Sequence, residues 1–238
     1  MLNKEVREKF NKLKNNGNYK SILQLIKNHG EDTQPMKRVV VRIINNQFTN
    51  EINGMALRLY GARGVMIRAK QDGVGVYDIS IVKDGETIAG IIVSLEVGWL
   101  KRTPGAIVIT LNLESGSTLP NYSKTGPMRP ASGPGYGTIL RALIVHAAKK
   151  LGYNKVLQTS AYVTNENNLK FIKGEITRPV SAWIMNKLGF NINKVIKEPG
   201  TNKIKYEERV LILKNRNTPK LNAVVREIFN KNASRGRG

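Results

Sequence analysis

The sequence of 238 residues has no cysteine and only two histidines, His29 and His146. The absence of cysteine excludes disulfide bonds, thiolate metal sites and a cysteine nucleophile. Two histidines are too few for a histidine-rich metal centre, so we expect no metal cofactor. Acidic residues are also scarce, because 17 aspartates and glutamates stand against 39 lysines and arginines, which gives a net charge of +22.

Long apolar segments are missing as well. No run approaches the roughly 18 residues of a membrane span, and the N-terminus has no apolar segment typical of a signal peptide. We therefore expect an intracellular protein, cytoplasmic or associated with nucleoprotein, that is not secreted and has no membrane partner. The positive charge favours a polyanion partner, RNA or DNA, although a solvated lysine-rich surface would give the same composition. The sequence leaves the oligomeric state open.

Changes in composition divide the chain into three parts. Residues 1–35 read as an N-terminal extension of short basic helices and a linker. Residues 36–214 are richer in β-forming residues and are predicted to form the main domain. Residues 215–238 read as a basic helix over 220–231 with a cationic, disordered tail.

The first half of the main domain reads mostly as strands. Residues 39–44 are predicted as a strand, whereas 53–70 alternate in polarity but contain interrupting glycines, so they stay ambiguous. Residues 76–82 and 87–95 flank Asp84-Gly85, a strong signal for a β-hairpin. With a further strand over 106–113, three consecutive strands form an antiparallel meander. Residues 115–134 are predicted to be a long loop.

A glycine-dense loop, Ser132 to Thr138, runs into an apolar helix over 140–151. Glycines let backbone amides converge, and a helix start adds unpaired N–H groups and a positive dipole end, so the segment predicts a phosphate site. No lysine follows Gly137 as an NTPase loop requires, and Leu140 stands where a dinucleotide fold needs its third glycine. The alternative is an ordinary glycine-rich surface loop.

The remaining elements are a strand over 154–163, a helix over 180–188 and strands over 190–196 and 207–213. The order of elements over 76–213 resembles that of the GNAT acyltransferase superfamily. The resemblance is carried by Gly135-Tyr136-Gly137-x-x-Leu140, by the helix-to-strand joint at 148–156 and by the helix end Lys187-Leu188-Gly189-Phe190. It implies a mixed α/β (α+β) fold, with a mostly antiparallel central sheet flanked by helices and extra basic helices at both termini.

The resemblance also implies a cofactor, acetyl-CoA or another acyl-CoA, held by the domain over 36–214. Its pyrophosphate would lie on the loop, and its pantetheine arm would pair with the strand that ends at Leu113. An asparagine after the next strand, Asn165 or Asn168, would contact it. The implied loop residues are Gly133, Gly135, Tyr136, Gly137 and Thr138.

Two positions depart from the superfamily pattern. Ser132 stands where an arginine or glutamine is usual, and Arg129 is the candidate replacement for the lost charge. Met185 stands where a tyrosine usually protonates the leaving thiolate, and Tyr162 is the candidate substitute. Glu114, after the strand 106–113, is the best candidate for the general base. Glu96 is the second candidate base, and His146 is expected to be structural.

Three functions stay open. The first is an N-acyltransferase that acts on an amine, for which an RNA-linked amine suits the charge. The second is a catalytically degenerate GNAT-like protein that serves as a nucleic-acid-binding or structural module in a nucleoprotein particle or virion. The third is an unrelated basic α/β protein whose glycine loop grips backbone phosphate.

Overall fold

Seven strands form one sheet in the order β1-β2-β3-β4-β5-β7-β6. The computed structural model describes residues 8, 12, 44, 46–55, 65–73, 75–83, 85–99, 107–118, 135–161, 180–200, 204–213 and 218–234. The strands are β1 (Val65–Gly73), β2 (Val76–Lys83), β3 (Glu86–Trp99), β4 (Ile107–Thr118), β5 (Lys155–Ala161), β6 (Asn191–Lys197) and β7 (Ile204–Ile212). The helices are α1 (46–55), α2 (Tyr136–Lys150), α3 (Val180–Leu188) and α4 (Pro219–Ser234).

The first four strands form an antiparallel meander. The predicted hairpin is confirmed, because Lys83 pairs with Glu86 around Gly85, whose φ of 86° is a conformation that favours glycine. The meander has four strands and not three, since β1 occupies part of the segment that was ambiguous in the sequence. The loop predicted from residue 115 is wrong at its start, because β4 continues to Thr118.

Ile44, two residues before helix α1, belongs to a segment that was predicted to be a strand. Ile44 is helical and not extended, so the prediction of a strand over 39–44 is wrong there, and residues 39–43 lie outside the described residues. Four apolar side chains at helical spacing are buried, namely Ile44, Phe48, Ile52 and Met55. The Phe48 ring lies 5.4 Å from that of Tyr77 and 6.0 Å from that of Tyr153, which fixes α1 against β2 and the start of β5.

Strands β4 and β5 are parallel, while all other described strand pairs are antiparallel. A parallel pair needs a crossover connection, and α2 lies within it. The helix runs back along the sheet, so its N-terminus lies at the carboxyl end of β4. The expected mixed, mostly antiparallel sheet flanked by helices is thereby confirmed.

Asn154 fastens three strands together just before β5. Its Oδ1 accepts a hydrogen bond from the Ile109 amide at 2.7 Å, and its own amide donates to the Ile109 carbonyl at 3.0 Å. Its carbonyl accepts from the Leu213 amide at 2.8 Å. Asn154 therefore links β4, the start of β5 and the end of β7.

Helix α4 packs into the same hydrophobic core as the sheet and α2. Leu221, Val224, Val225 and Ile228 are buried in that core. Lys149 Nζ on α2 donates to Thr218 Oγ1 at 2.8 Å and to Asn222 Oδ1 at 3.0 Å. The predicted C-terminal helix is thus confirmed and lies directly on the preceding domain. The division of the chain at residue 214 stays a prediction.

The termini are described only in part. In the proposed extension over 1–35 the described residues are Glu8 and Lys12, which are helical and exposed, and residues 235–238 lie outside the described part. None of the helices in the described ranges is long and apolar enough to cross a bilayer.

Replacing Leu221 with alanine tests the packing of α4. Leu221 is fully buried, so we expect Leu221→Ala to lower the free energy of unfolding by about 2–4 kcal/mol, measured by urea denaturation followed by circular dichroism. The matched control is Arg226→Ala, an exposed position on the same helix, which should change it by less than about 0.5 kcal/mol. Equal effects of the two substitutions would contradict the packing.

Candidate functional site

The sheet opens between β4 and β5 at the carboxyl ends of these strands. Their register runs over four pairs, from Thr110 with Lys155 to Leu113 with Gln158. Both strands then continue, β4 to Thr118 and β5 to Ala161, and the described residues show no pairing between these extensions. In α/β sheets, ligands bind outside the carboxyl ends of the strands. Leu113, predicted to border the cofactor, is the last β4 residue in register with β5.

A β-bulge lies where β4 leaves β5. Ile91 pairs with Gly116, and Val93 pairs with Leu113. The chain therefore advances by two residues on β3 and by three residues on β4 between these two pairs. Such a bulge bends its strand and re-aims a side chain. Here the extra residue falls next to Glu114, so the bulge occurs at the predicted base.

Glu114 is exposed and hydrogen-bonded to the neighbouring strand. Its Oε1 accepts a hydrogen bond from Ser94 Oγ, and Asn112 Nδ2 donates to that hydroxyl at 3.5 Å. Glu96, the second candidate base, is also exposed, but it lies opposite Thr110 in the closed part of the sheet. Of the two carboxylates, Glu114 is the one beside the opening.

The start of α2 faces the same opening. Gly135 is its N-cap, and the carbonyl of Gly135 accepts hydrogen bonds from the amides of Thr138 at 2.9 Å and Ile139 at 3.0 Å. The amides of Tyr136 and Gly137 precede the first intrahelical bonds, so they point out of the helix end. The first turn carries no acidic residue, so no side chain of that turn neutralises the positive end of the helix dipole.

Two glycines of the loop have different surroundings. A Cβ on Gly135 would meet none of the described residues within 4 Å. A Cβ on Gly137 would lie 3.4 Å from Arg141 Nη1 and 3.8 Å from Ile184 Cδ1. Gly137 therefore permits the close approach of α2 to α3. Thr138 is buried, and its amide donates to the Gly135 carbonyl, so its place in a phosphate site stays a prediction.

Arg141 is a site residue that the sequence reasoning missed. Its side chain is only 8% exposed, its Nε donates to Gln158 Oε1 at 3.2 Å and its Nη1 donates to the Gly137 carbonyl at 3.2 Å. Burial lowers the pKa of Arg141 to about 10, so the guanidinium stays charged at neutral pH. The sequence did contain one signal for it, because Arg141 is a charged residue among the apolar residues of this helix.

Arg141 belongs to a buried polar cluster that also contains Gln158, Glu207 and Arg209. Gln158 is in register with Arg209, and Arg209 Nε donates to Glu207 Oε1. The four side chains include two cations and one anion. The cluster lies at the base of the opening, since Gln158 is the last β5 residue in register with β4.

Several predicted residues lie apart from this constellation or outside the described part. Met185 is fully buried, and its side chain has no proton to donate. His146 packs 6.4 Å from the Phe229 ring, and its pKa is lowered by burial and by Lys150 and Lys149, which agrees with a structural role. The positions outside the described residues are Arg129, Gly133, Tyr162, Asn165 and Asn168, so their roles stay predictions.

No family model and no curated protein matches this sequence. Similar solved structures include a GNAT-family acetyltransferase from Streptococcus pneumoniae, at 12% identity and a TM-score of 0.35 over 59% of this chain and 69% of that one. An Elizabethkingia anophelis GNAT-family acetyltransferase with acetyl-CoA bound has 11% identity and a TM-score of 0.40, over 63% and 98%. The Escherichia coli ribosomal-protein-S18-alanine N-acetyltransferase has 14% identity and a TM-score of 0.35, over 60% and 72%.

Two of these structures bear the name of the superfamily that the sequence resembles. Identities and TM-scores this low do not decide an activity, because one fold supports many functions.

Proposed function

We propose that the protein is an acyl-CoA-dependent N-acyltransferase, with acetyl-CoA or another acyl-CoA as the donor. The proposal is supported by one observation, namely that the opening in the sheet and the start of a helix lie side by side. The opening between β4 and β5 lies beside the N-terminus of α2, whose first turn carries no acidic residue. A ligand that combines an anionic group with an extended amide chain suits both features.

The anionic group would lie on the helix. The amides of Tyr136 and Gly137 would bind the pyrophosphate, because helix starts favour phosphate through their unpaired N–H groups and dipole. Gly135 leaves room for it on the described side of the site, since none of the described residues lies within 4 Å of a Cβ placed there. From the resemblance, Gly133 and Arg129 would complete the phosphate site.

The pantetheine arm would lie between the parted strands. Beyond Leu113 the β4 extension has no β5 neighbour in register among the described residues, so its backbone can pair with the amides of the arm as with an added strand. Asn165 or Asn168 would contact the cofactor from the segment after β5.

When bound, the acyl-CoA thioester supplies an electrophilic carbonyl and a thiolate leaving group. Glu114 would accept the proton that the attacking amine loses as the carbon–nitrogen bond forms, directly or through one water. Ser94 holds this carboxylate at the edge of the opening. Tyr162 would donate the proton that the departing sulfur takes when the carbon–sulfur bond breaks.

The net charge of +22 favours a second, polyanionic partner. It suits an acceptor amine that is linked to RNA. It also suits the alternative function, a catalytically degenerate nucleic-acid-binding or structural module, which the buried Met185 at the expected tyrosine position favours as well.

A charge change at Gly135 tests cofactor binding. Gly135→Glu should weaken CoA binding by about tenfold or more in calorimetry, because the added carboxylate repels the phosphates. The neutral, similarly sized Gly135→Gln is the matched control and should cost much less. Absence of CoA binding by the unchanged protein at millimolar concentration would refute the proposed function.

Glu114→Gln tests the base. We expect kcat to fall by about 100-fold, with CoA affinity unchanged, when thiol release from acetyl-CoA is followed with a panel of primary amines. Glu96→Gln is the matched control and should keep the original rate. A fall in kcat with Glu96→Gln but not with Glu114→Gln would mean that Glu96 is the base. CoA binding without transfer to any amine would favour the degenerate module.

Fluorescence anisotropy with labelled tRNA and duplex DNA tests the polyanion partner. The logarithm of the association constant should fall linearly with the logarithm of salt concentration between about 50 and 200 mM, because bound lysines and arginines release counterions. No binding at the lowest salt concentration would count against this partner.

A further inference from the structure

Arg141 places a buried positive charge beside the first turn of α2. Its Nη1 donates to the Gly137 carbonyl at 3.2 Å. The same nitrogen would lie 3.4 Å from a Cβ on Gly137, so the guanidinium rests against the backbone of that residue. The charge therefore lies beside the turn whose amides are proposed to bind the pyrophosphate.

No carboxylate in the described part of the chain pairs with this charge. The two acceptors that Arg141 contacts there, the Gln158 amide oxygen and the Gly137 carbonyl, are uncharged. The carboxylate of Glu207, in the same buried cluster, is engaged by Arg209. Neutral acceptors offset only part of the cost of removing a cation from water. An anion bound close to Arg141 would offset more of it.

The position of the charge adds to that cost. A helix start carries the positive end of the helix dipole, so a cation is unfavourable there and an anion is favourable. The first turn of α2 contains no acidic residue, yet the Arg141 guanidinium reaches back to it. Two positive features thus lie together, and one anion on the amides of Tyr136 and Gly137 would stabilise both.

We propose that Arg141 supplies the positive charge that positions the pyrophosphate on the first turn of α2, in place of the arginine or glutamine that the superfamily pattern has at position 132. The inference rests on the proposed function, since the pyrophosphate belongs to the acyl-CoA. Arg141 is a positioning residue, because it acts on the phosphates and not on the reacting atoms. Gly137 permits the arrangement, since a Cβ there would crowd Nη1.

Two substitutions separate the charge of Arg141 from its hydrogen bonds. Arg141→Gln loses the charge but keeps an N–H donor, whereas Arg141→Lys keeps the charge. In calorimetry we expect Arg141→Gln to weaken the binding of inorganic pyrophosphate, CoA and dephospho-CoA by about 10- to 100-fold, as the loss of a charged hydrogen-bond donor allows. Arg141→Lys should weaken it by less than about fivefold, because an ammonium still acts on phosphate as a point charge.

The matched control is Arg226→Gln, which removes one positive charge at an exposed site on α4 and should leave all three affinities unchanged. Equal losses with Arg141→Gln and Arg141→Lys would mean that the hydrogen bonds matter and the charge does not. A loss for CoA with unchanged affinity for dephospho-CoA would place Arg141 beside the 3′-phosphate. Either result would overturn the inference.

The failure of this inference differs from the failure of the proposed function. Unchanged affinity of a folded Arg141→Gln variant for all three ligands would overturn the inference and leave the proposed function intact. Absence of CoA binding by the unchanged protein would remove both. Thermal unfolding checks that each variant is folded.

Nuclear magnetic resonance on the unchanged protein keeps the test decisive if Arg141→Gln does not fold. The Arg141 Nε–H group is hydrogen-bonded to Gln158 inside the protein, so its resonance can be followed. Inorganic pyrophosphate should shift this resonance together with those of the Tyr136 and Gly137 amides. Shifts of the two amides alone, or no shift of any of the three at millimolar pyrophosphate, would contradict the role of Arg141.

Discussion

The short pairing between β4 and β5 is the constraint on which the rest of the structure depends. Four register pairs join the antiparallel meander to the strands that follow, and the parallel direction requires α2 as part of the crossover. The crossover in turn brings the start of α2 to the carboxyl end of β4. The opening, the start of α2 and Glu114 thus share one location because of a single choice of strand direction.

Charge placement distinguishes this site from its surroundings. The chain has a net charge of +22, but most of that charge can remain in water. Arg141 and Arg209 are instead buried, and only one of them has a carboxylate partner among the described residues. A surface charge is screened by water and salt, whereas a buried charge acts strongly on the groups that surround it.

Local patterns predicted the elements that depend on nearby residues. Asp84-Gly85 predicted the β2–β3 hairpin, because that signal lies within two residues of the turn. The helix predicted from residue 140 begins at Tyr136 instead, since Tyr136 and Gly137, which read as loop, form its first turn. Helix α1 (46–55) was missed, since Ile44 before it reads as the end of a β-branched run until Phe48, Ile52 and Met55 are found in the same core.

Long-range pairing explains the other failures. Nothing near Ile204 indicates that β7 inserts between β5 and β6, because that position depends on contacts with Lys155 to Ala161. Arg141 was overlooked for the same reason. Its role depends on Gln158, 17 residues away along the chain and adjacent only once the strands are in place.

Asn154 gives the site a mechanical character. It links β4, β5 and β7 by hydrogen bonds at one end of the strands. At the other end β4 and β5 separate, so the sheet has two parts, or arms, that are joined near Asn154. A molecule seated between the arms would bridge them at the end where the chain itself does not. Occupancy would then couple the motions of the meander to those of β5 to β7, and amide hydrogen exchange in both arms would slow together.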